Sequence, residues 1–175
     1  NFSSLKEKCN EKLLLFKGTQ ALIYRIDDKI AANCVAETCY DGELLAWSEY
    51  DTTAAFYVER IEKSNTTSTI HYIWKHSTHG NFILPFIDDA SISNCITCAV
   101  VALYFGIQPE VLAQRMAKLE PVAMRLEVKE GQHGCTLIND SYNSDINSLN
   151  IALDFMNRRP DQKHRERTLI LSDIY

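Results

Sequence analysis

The chain has 175 residues, 46% hydrophobic and 23% charged, a composition that suits one good core or two small globular units. Its formal net charge of −5 leaves no basic footprint for nucleic acid. No apolar run approaches the ~18 residues that would suggest membrane insertion.

In chain order, Leu5, Cys9, Leu13 and Phe16 recur at helical spacing among lysines and glutamates, which predicts a helix over 3–17 closed by Gly18. ALIYRI (21–26) follows as a buried strand, and DDKIAANCV starts a short helix. Between Leu44 and Phe86 the runs LLAWS, AAFYVERIE, STIHYIWK and NFILPF are short, β-branched and aromatic, with polar turns between them. That pattern predicts an antiparallel meander, or a sheet edge built from hairpins. Residues 91–105 form the most apolar helix, ended by Gly106, and Pro109 opens the next one. Beyond Pro121, MRLEVKE and CTLIND are strands, SLNIALDFMN an amphipathic helix and TLILSD a final buried strand. Strand, helix, strand at that spacing predicts a βαβ unit. The chain is therefore divided near residue 120, and both ends are expected to be cuts in a longer protein.

The six cysteines are scattered, and only Cys95 and Cys98 form a CxxC. A lone pair is a weak zinc signal, so they are expected to be reduced core residues in a cytoplasmic protein. No charged-then-apolar leader marks secretion. His71, His76 and His79 cluster in HYIWKHSTHG, but no Cys or carboxylate completes a metal set there, and solvated turn histidines are expected.

Chemistry concentrates in TLINDSYNSDINSLNIALDF, where a buried strand runs into a polar loop that opens a helix. Ligands of open α/β sheets sit at the carboxyl ends of strands, which makes Asp140 a candidate for ribose hydroxyls and Asn143 a candidate polar contact. The same residue types also serve as helix caps and turn formers. Asn94, at the start of the apolar helix, reads on its own as a helix cap. No GxxxxGK[ST] phosphate loop is present.

The loop and helix NDSYNSD…NSLNIALD resemble the segment that opens the C-terminal domain of the Mur ligase family, an ATP-dependent family of amide-bond-forming enzymes. Asp140, Ser141, Tyr142, Asn143, Ser148, Ala152, Leu153 and Asp154 carry the likeness, while Ser144, Asp145 and Ile146 replace its Ala-Asn-Pro. PVAMRLEV is similar to the family's PVxGRLEV, with Met124 in place of glycine, and the resemblance gives Arg125 the role of reaching ATP phosphates. In DDASISNCITCAVVALYFGI, Asn94 matches an adenine-contacting asparagine, whereas Ala90 and Ser91 replace a His-Asn pair. SSLKEKCNEKLLLF aligns Lys12 with a lysine that carries a carbamate and helps to hold Mg²⁺; otherwise Lys12 is an ordinary exposed helix lysine.

The resemblance implies an α/β fold in two parts. Residues 1–120 would be the C-terminal part of a central ATP-binding domain with an antiparallel hairpin region. Residues 121–175 would be the first βαβ part of a Rossmann-like C-terminal domain. It also implies ATP and Mg²⁺ as cofactors, and UDP-muramoyl tripeptide and D-alanyl-D-alanine as substrates of peptidoglycan precursor synthesis. Some relatives carry a downstream alanine racemase domain. Lacking the phosphate loop, this segment alone is expected to be inactive. A degenerate non-catalytic binding module and another amide ligase of the family remain the alternatives.

Overall fold

The computed structural model describes residues 2–120, 126–142, 146–158 and 166–171. The chain divides into two compact units, Asn1–Leu119 and Glu120–Tyr175.

The first unit begins with α1 (Leu5–Leu13), capped by the Ser4 hydroxyl, which accepts from the Glu7 amide at 3.1 Å. A 3₁₀ turn over Leu14–Phe16 tightens its end, and Gly18 at φ +77° turns the chain towards the sheet. Strand β1 (Ala21–Arg25) leads into α2 (Lys29–Glu37), whose first amides donate to Asp28. Strands β2 (Glu43–Ser48), β3 (Phe56–Lys63), β4 (Ser68–Trp74) and β5 (Thr78–Leu84) complete a five-stranded sheet in sequence order.

The antiparallel meander is confined to β3, β4 and β5. LLAWS, expected within it, instead lies in β2, which runs parallel to β1 on one side and to β3 on the other. A parallel connection ordinarily needs a crossover of about a dozen residues or more. Here β3 overlaps β2 only at Trp47↔Phe56 and Ser48↔Tyr57, so the short loop after Ser48 suffices.

One face of the sheet is the core. Strand β4 alternates strictly, with Ser68, Ile70, Tyr72 and Trp74 buried. Against it lies α3 (Asp89–Tyr104), which buries Ile92, Cys95, Ile96, Ala99, Val100 and Leu103 at the 3–4 spacing of a helix with one apolar stripe. Gly106 at φ +81° ends that helix, and Pro109 at the first position opens α4 (Pro109–Met116), which adds Leu112 and Met116 to the core.

Gly80 on β5 stands opposite Tyr72, and a Cβ there would come within 2.5 Å of the Tyr72 ring. That ring is stacked on Phe56 at 4.6 Å and tilted against Phe82 at 5.8 Å, so it has nowhere to retreat. Gly80→Ala is expected to cost about 1–3 kcal/mol of stability, the usual range for overpacking. Thermal unfolding followed by circular dichroism checks this, and an unchanged midpoint would refute the close approach.

In the second unit, β6 (Glu127–Glu130) and β7 (Thr136–Asn139) form an antiparallel hairpin, followed by α5 (Ile146–Arg158). None of its described residues is fully buried. The expected strand TLILSD does not form over its described part: residues 166–171 are irregular, and Leu169, Ile170 and Leu171 stay exposed. An apolar run becomes a strand only when neighbouring strands satisfy its backbone groups, and β7 pairs with β6 alone. The βαβ unit is therefore not closed among the described residues. No helix of the described residues is long and apolar enough to cross a membrane.

Candidate functional site

The carboxyl ends of β1 and β2 meet the first turns of α3 around a cleft of about 340 Å³ lined by Arg25, Glu49, Tyr50, Ile61, Asp89, Ile92 and Ser93. This is where parallel α/β sheets place their ligands. The Arg25 guanidinium donates to Glu49 Oε1 at 2.6 Å and to Asp27 Oδ2 at 3.4 Å, and it lies 4.8 Å over the Trp47 ring.

Asp27 is held in turn by the buried Ser48 hydroxyl, which donates to it at 2.5 Å, and by the Glu49 amide at 2.9 Å. Ser48 also accepts from the Tyr50 and Asp51 amides. Three charged side chains, Arg25, Asp27 and Glu49, are thus tied together at the ends of adjacent strands. Across the cleft, Lys63 bridges the Ile87 carbonyl at 2.9 Å and Asp89 at 2.5 Å, pinning the start of α3. With the lining Arg25 already paired to two carboxylates, the cleft suits a neutral, hydrogen-bonding ligand better than a bare anion.

Asn94 is the next residue along α3 from the lining Ser93. It is not a helix cap: Asp88 holds that position and accepts from the Ser91 amide at 2.8 Å. Asn94 is exposed one turn further in, with Cys98, Val101 and Phe105 continuing the same exposed ridge. An exposed carboxamide mid-helix has both donor and acceptor free to pair with a base edge. No hydrogen bond to the Asn94 side chain is found among the described residues.

Lys12 lies in the last turn of α1 and is exposed. Cys9, one turn before it, has its thiol pushed up by burial and by the Cys34 sulfur, with the Lys12 charge opposing. The amine is open to CO₂. As a carbamate it would set an anion at a helix C-terminus, where the macrodipole favours a cation, so a bound divalent ion there would offset the unfavourable field. No group of three His, Cys, Asp or Glu that could hold a metal occurs among the described residues. Any further ligands would have to come from a nucleotide, water or other chain segments. Lys12 and Asn94 sit on separate helices, and no hydrogen bond or ion pair joins them among the described residues.

In the second unit Asp140 directly follows β7, and its Oδ1 accepts from the Leu126 amide at 3.1 Å. Arg125 and Asn143 lie outside the described residues.

The histidines are not all in turns. His71 on β4 and His79 on β5 share the outer face of the sheet, 3.6 Å from Glu62 and 3.8 Å from Glu59 respectively, while His76 is in the turn between these strands. The cysteines also differ from expectation: only Cys34 and Cys95 are buried, and Cys39, Cys98 and Cys135 are exposed. Burial, with smaller contributions from Cys98 and Asp88, pushes the Cys95 thiol up to about 11. Since the thiolate is the nucleophile, alkylation at pH 8 is expected to label Cys98 and spare Cys95, with Cys95 reacting only as the pH approaches 11. Peptide mass mapping reads this directly, and equal labelling at pH 8 would contradict the burial.

Arg25, Glu49, Tyr50, Asp89 and Ser93 had no place among the sequence candidates. The signal that could have found them is the position of RIDD and SEY directly after buried strands.

No protein-family profile matches the chain. Among solved structures, the fold is similar to that of MurF from Acinetobacter baumannii, with a TM-score of 0.62 and 14% identity over 82% of this chain and 30% of that one. It is similar as well to MurF ligase from Thermotoga maritima in complex with ADP, with a TM-score of 0.60 and 15% identity over 81% of this chain and 32% of that one. A folylpolyglutamate synthetase from Lactobacillus casei shares it too, with a TM-score of 0.59 and 17% identity over 91% of this chain and 41% of that one. The class is therefore that of the Mur ligase fold, mixed α/β as the sequence led one to expect.

In sequence, the chain is similar to the UDP-N-acetylmuramoyl-tripeptide–D-alanyl-D-alanine ligase of Bacillus subtilis (strain 168), 28% identical over 93 residues, which is 53% of this chain. The resemblance to the Mur ligases thus holds both in sequence and in fold. The chain spans about a fifth of the length of that curated relative, 20%.

Proposed function

We propose that the chain is part of an ATP-dependent ligase that adds D-alanyl-D-alanine to UDP-muramoyl tripeptide in the cytoplasm. In this reading residues 1–120 end a central ATP-binding domain and residues 121–175 begin a C-terminal one. The observation that carries it is the polar loop after β7, Asp-Ser-Tyr at 140–142, placed at the carboxyl end of a strand ahead of α5. A sequence likeness to a ligase with that substrate pair supports the same reading.

The chemistry assigned is acyl activation. The γ-phosphoryl group of ATP passes to the C-terminal carboxylate of the tripeptide, giving ADP and an acyl phosphate. The amine of D-alanyl-D-alanine attacks that carbonyl and loses a proton, and the tetrahedral intermediate collapses to the amide and inorganic phosphate. The protein's share is positioning and electrostatics. Asn94 would pair with the adenine edge, and Asp140 and Asn143 would hold the ribose side. Arg125 would meet the phosphates with a guanidinium fork that stays charged. Lys12, as a carbamate, would offer an oxygen to Mg²⁺, which when bound neutralises charge on the transferring phosphoryl group.

The test is phosphate release from ATP by the full-length parent, given UDP-muramoyl tripeptide with and without D-alanyl-D-alanine. Release that needs both substrates, and that falls about tenfold or more in Asn94→Ala, is the expected result. No release with any muramoyl peptide would favour the binding-module alternative, which the substitutions at Ala90 and Ser91 already suggest. The 175-residue chain by itself is expected to release none.

A further inference from the structure

Among the described residues, four non-glycine positions have positive φ: Lys75, His76, Leu126 and His133. Three of them sit in hairpin turns, where a left-handed residue closes the loop. Leu126 does not. It immediately precedes β6 with φ +47°, a conformation that crowds the Cβ of a bulky side chain and is adopted only where surrounding contacts enforce it.

The enforcing contact is Asp140. Its Oδ1 accepts the Leu126 N–H at 3.1 Å, reaching from the end of β7 across the open mouth of the hairpin. The next rung is fixed in the same way: Glu127 pairs with Asn139, the Asn139 side-chain Nδ2 donates to Glu127 Oε2 at 3.3 Å, and Asn139 Oδ1 accepts from the Ser141 amide at 3.3 Å. The mouth of this hairpin is therefore laced together by the side chains of the candidate nucleotide loop itself.

We propose that Asp140 is a positioning residue as well as a ligand contact, holding Leu126 left-handed so that the hairpin mouth formed by Leu126, Glu127 and Asn139 is set for nucleotide binding. One carboxylate oxygen serves the backbone. The other takes no hydrogen bond among the described residues and is left for a hydroxyl of the ligand. This inference rests on the nucleotide reading above, but its structural half can be tested without it.

The experiment is a double-mutant cycle in the full-length parent, read by the Kd for ADP and by hydrogen exchange at the Leu126 amide. Glycine adopts φ +47° freely, so Leu126→Gly removes the need for the clamp. Asp140→Ala is expected to weaken ADP binding about tenfold in the parent, and by a factor about threefold or more smaller in the Leu126→Gly background. Asp140→Asn keeps the acceptor oxygen that holds Leu126 but loses the one given to the ligand, so it is expected to weaken ADP binding by the same factor in both backgrounds while keeping Leu126 protected, which also guards against a variant that merely fails to fold. Exchange at Leu126 should quicken in Asp140→Ala and not in Asp140→Asn.

An equal loss of affinity for Asp140→Ala in both backgrounds would overturn the positioning role while leaving the ligase reading in place. If the wild-type parent binds no ADP, the nucleotide reading fails, and the exchange measurement decides the clamp. Unchanged protection at Leu126 in Asp140→Ala would then overturn it too.

Discussion

Phe56→Ala is expected to destabilise the first unit by about 3–5 kcal/mol, which is a large part of the roughly 5–15 kcal/mol that a domain possesses. Phe56 is fully buried at the head of β3. Its ring stacks on Tyr72 at 4.6 Å with 16° between the planes and tilts against Trp74 at 6.4 Å. It is also one of the two β3 residues that pair with β2. Removing the ring opens a cavity between aromatic side chains, which are too rigid and too closely packed to collapse into it. The measurement is urea unfolding followed by tryptophan fluorescence, with the slope checked to confirm a two-state transition. A loss below about 1 kcal/mol would mean that this aromatic cluster does not organise the core.

The second large effect concerns catalysis in the ligase proposed above. Lys12→Ala is expected to lower turnover by about 10³-fold, comparable to losing one charge-stabilising group at a transferring phosphoryl. Lys12→Arg should fare no better, although it keeps the helix and the positive charge, because a guanidinium does not form a stable carbamate. The loss should fall on kcat, with the KM for D-alanyl-D-alanine little changed. Stripping bicarbonate from the wild-type assay should lower its activity and leave Lys12→Arg unaffected. A Lys12→Arg enzyme within about threefold of wild type would end the carbamate reading and leave Lys12 as a solvated helix residue.

The elements that could be read from the sequence are those whose signals are local. Ser4 and Asp28 announce helix starts, Gly18 and Gly106 announce ends, and the 3–4 spacing of α3 marks its buried stripe. What could not be read is pairing. Nothing within LLAWS says that its neighbours run parallel to it, because a parallel partner is fixed by distant residues and by how far β3 slides along β2. The described part of TLILSD, 168–171, forms no strand for a related reason: its apolarity states what it would bury, not which edge receives it.

The candidate residues divide along the same line. Asp140 could be singled out because a polar loop behind a strand is a local pattern. The Arg25–Glu49–Asp27 cluster was missed because it joins the ends of two strands and becomes visible only once these lie side by side. Asn94 shows how a cap changes an assignment. In sequence it competed for the helix start, and Asp88 takes that place in the fold.

The sheet of the first unit narrows to two residue pairs where β2 meets β3. Strands β1 and β2 pack with α1 and α2 in one block, β3, β4 and β5 with α4 in another, and α3 touches both. Such a waist is where partial unfolding separates. Amide protons of β4, bonded on both sides, should outlast those of β1, and the two sets should exchange with distinct opening free energies. A ligand seated in the cleft at the ends of β1 and β2 would then act as a rivet, slowing exchange in the weaker block to the rate of the stronger one.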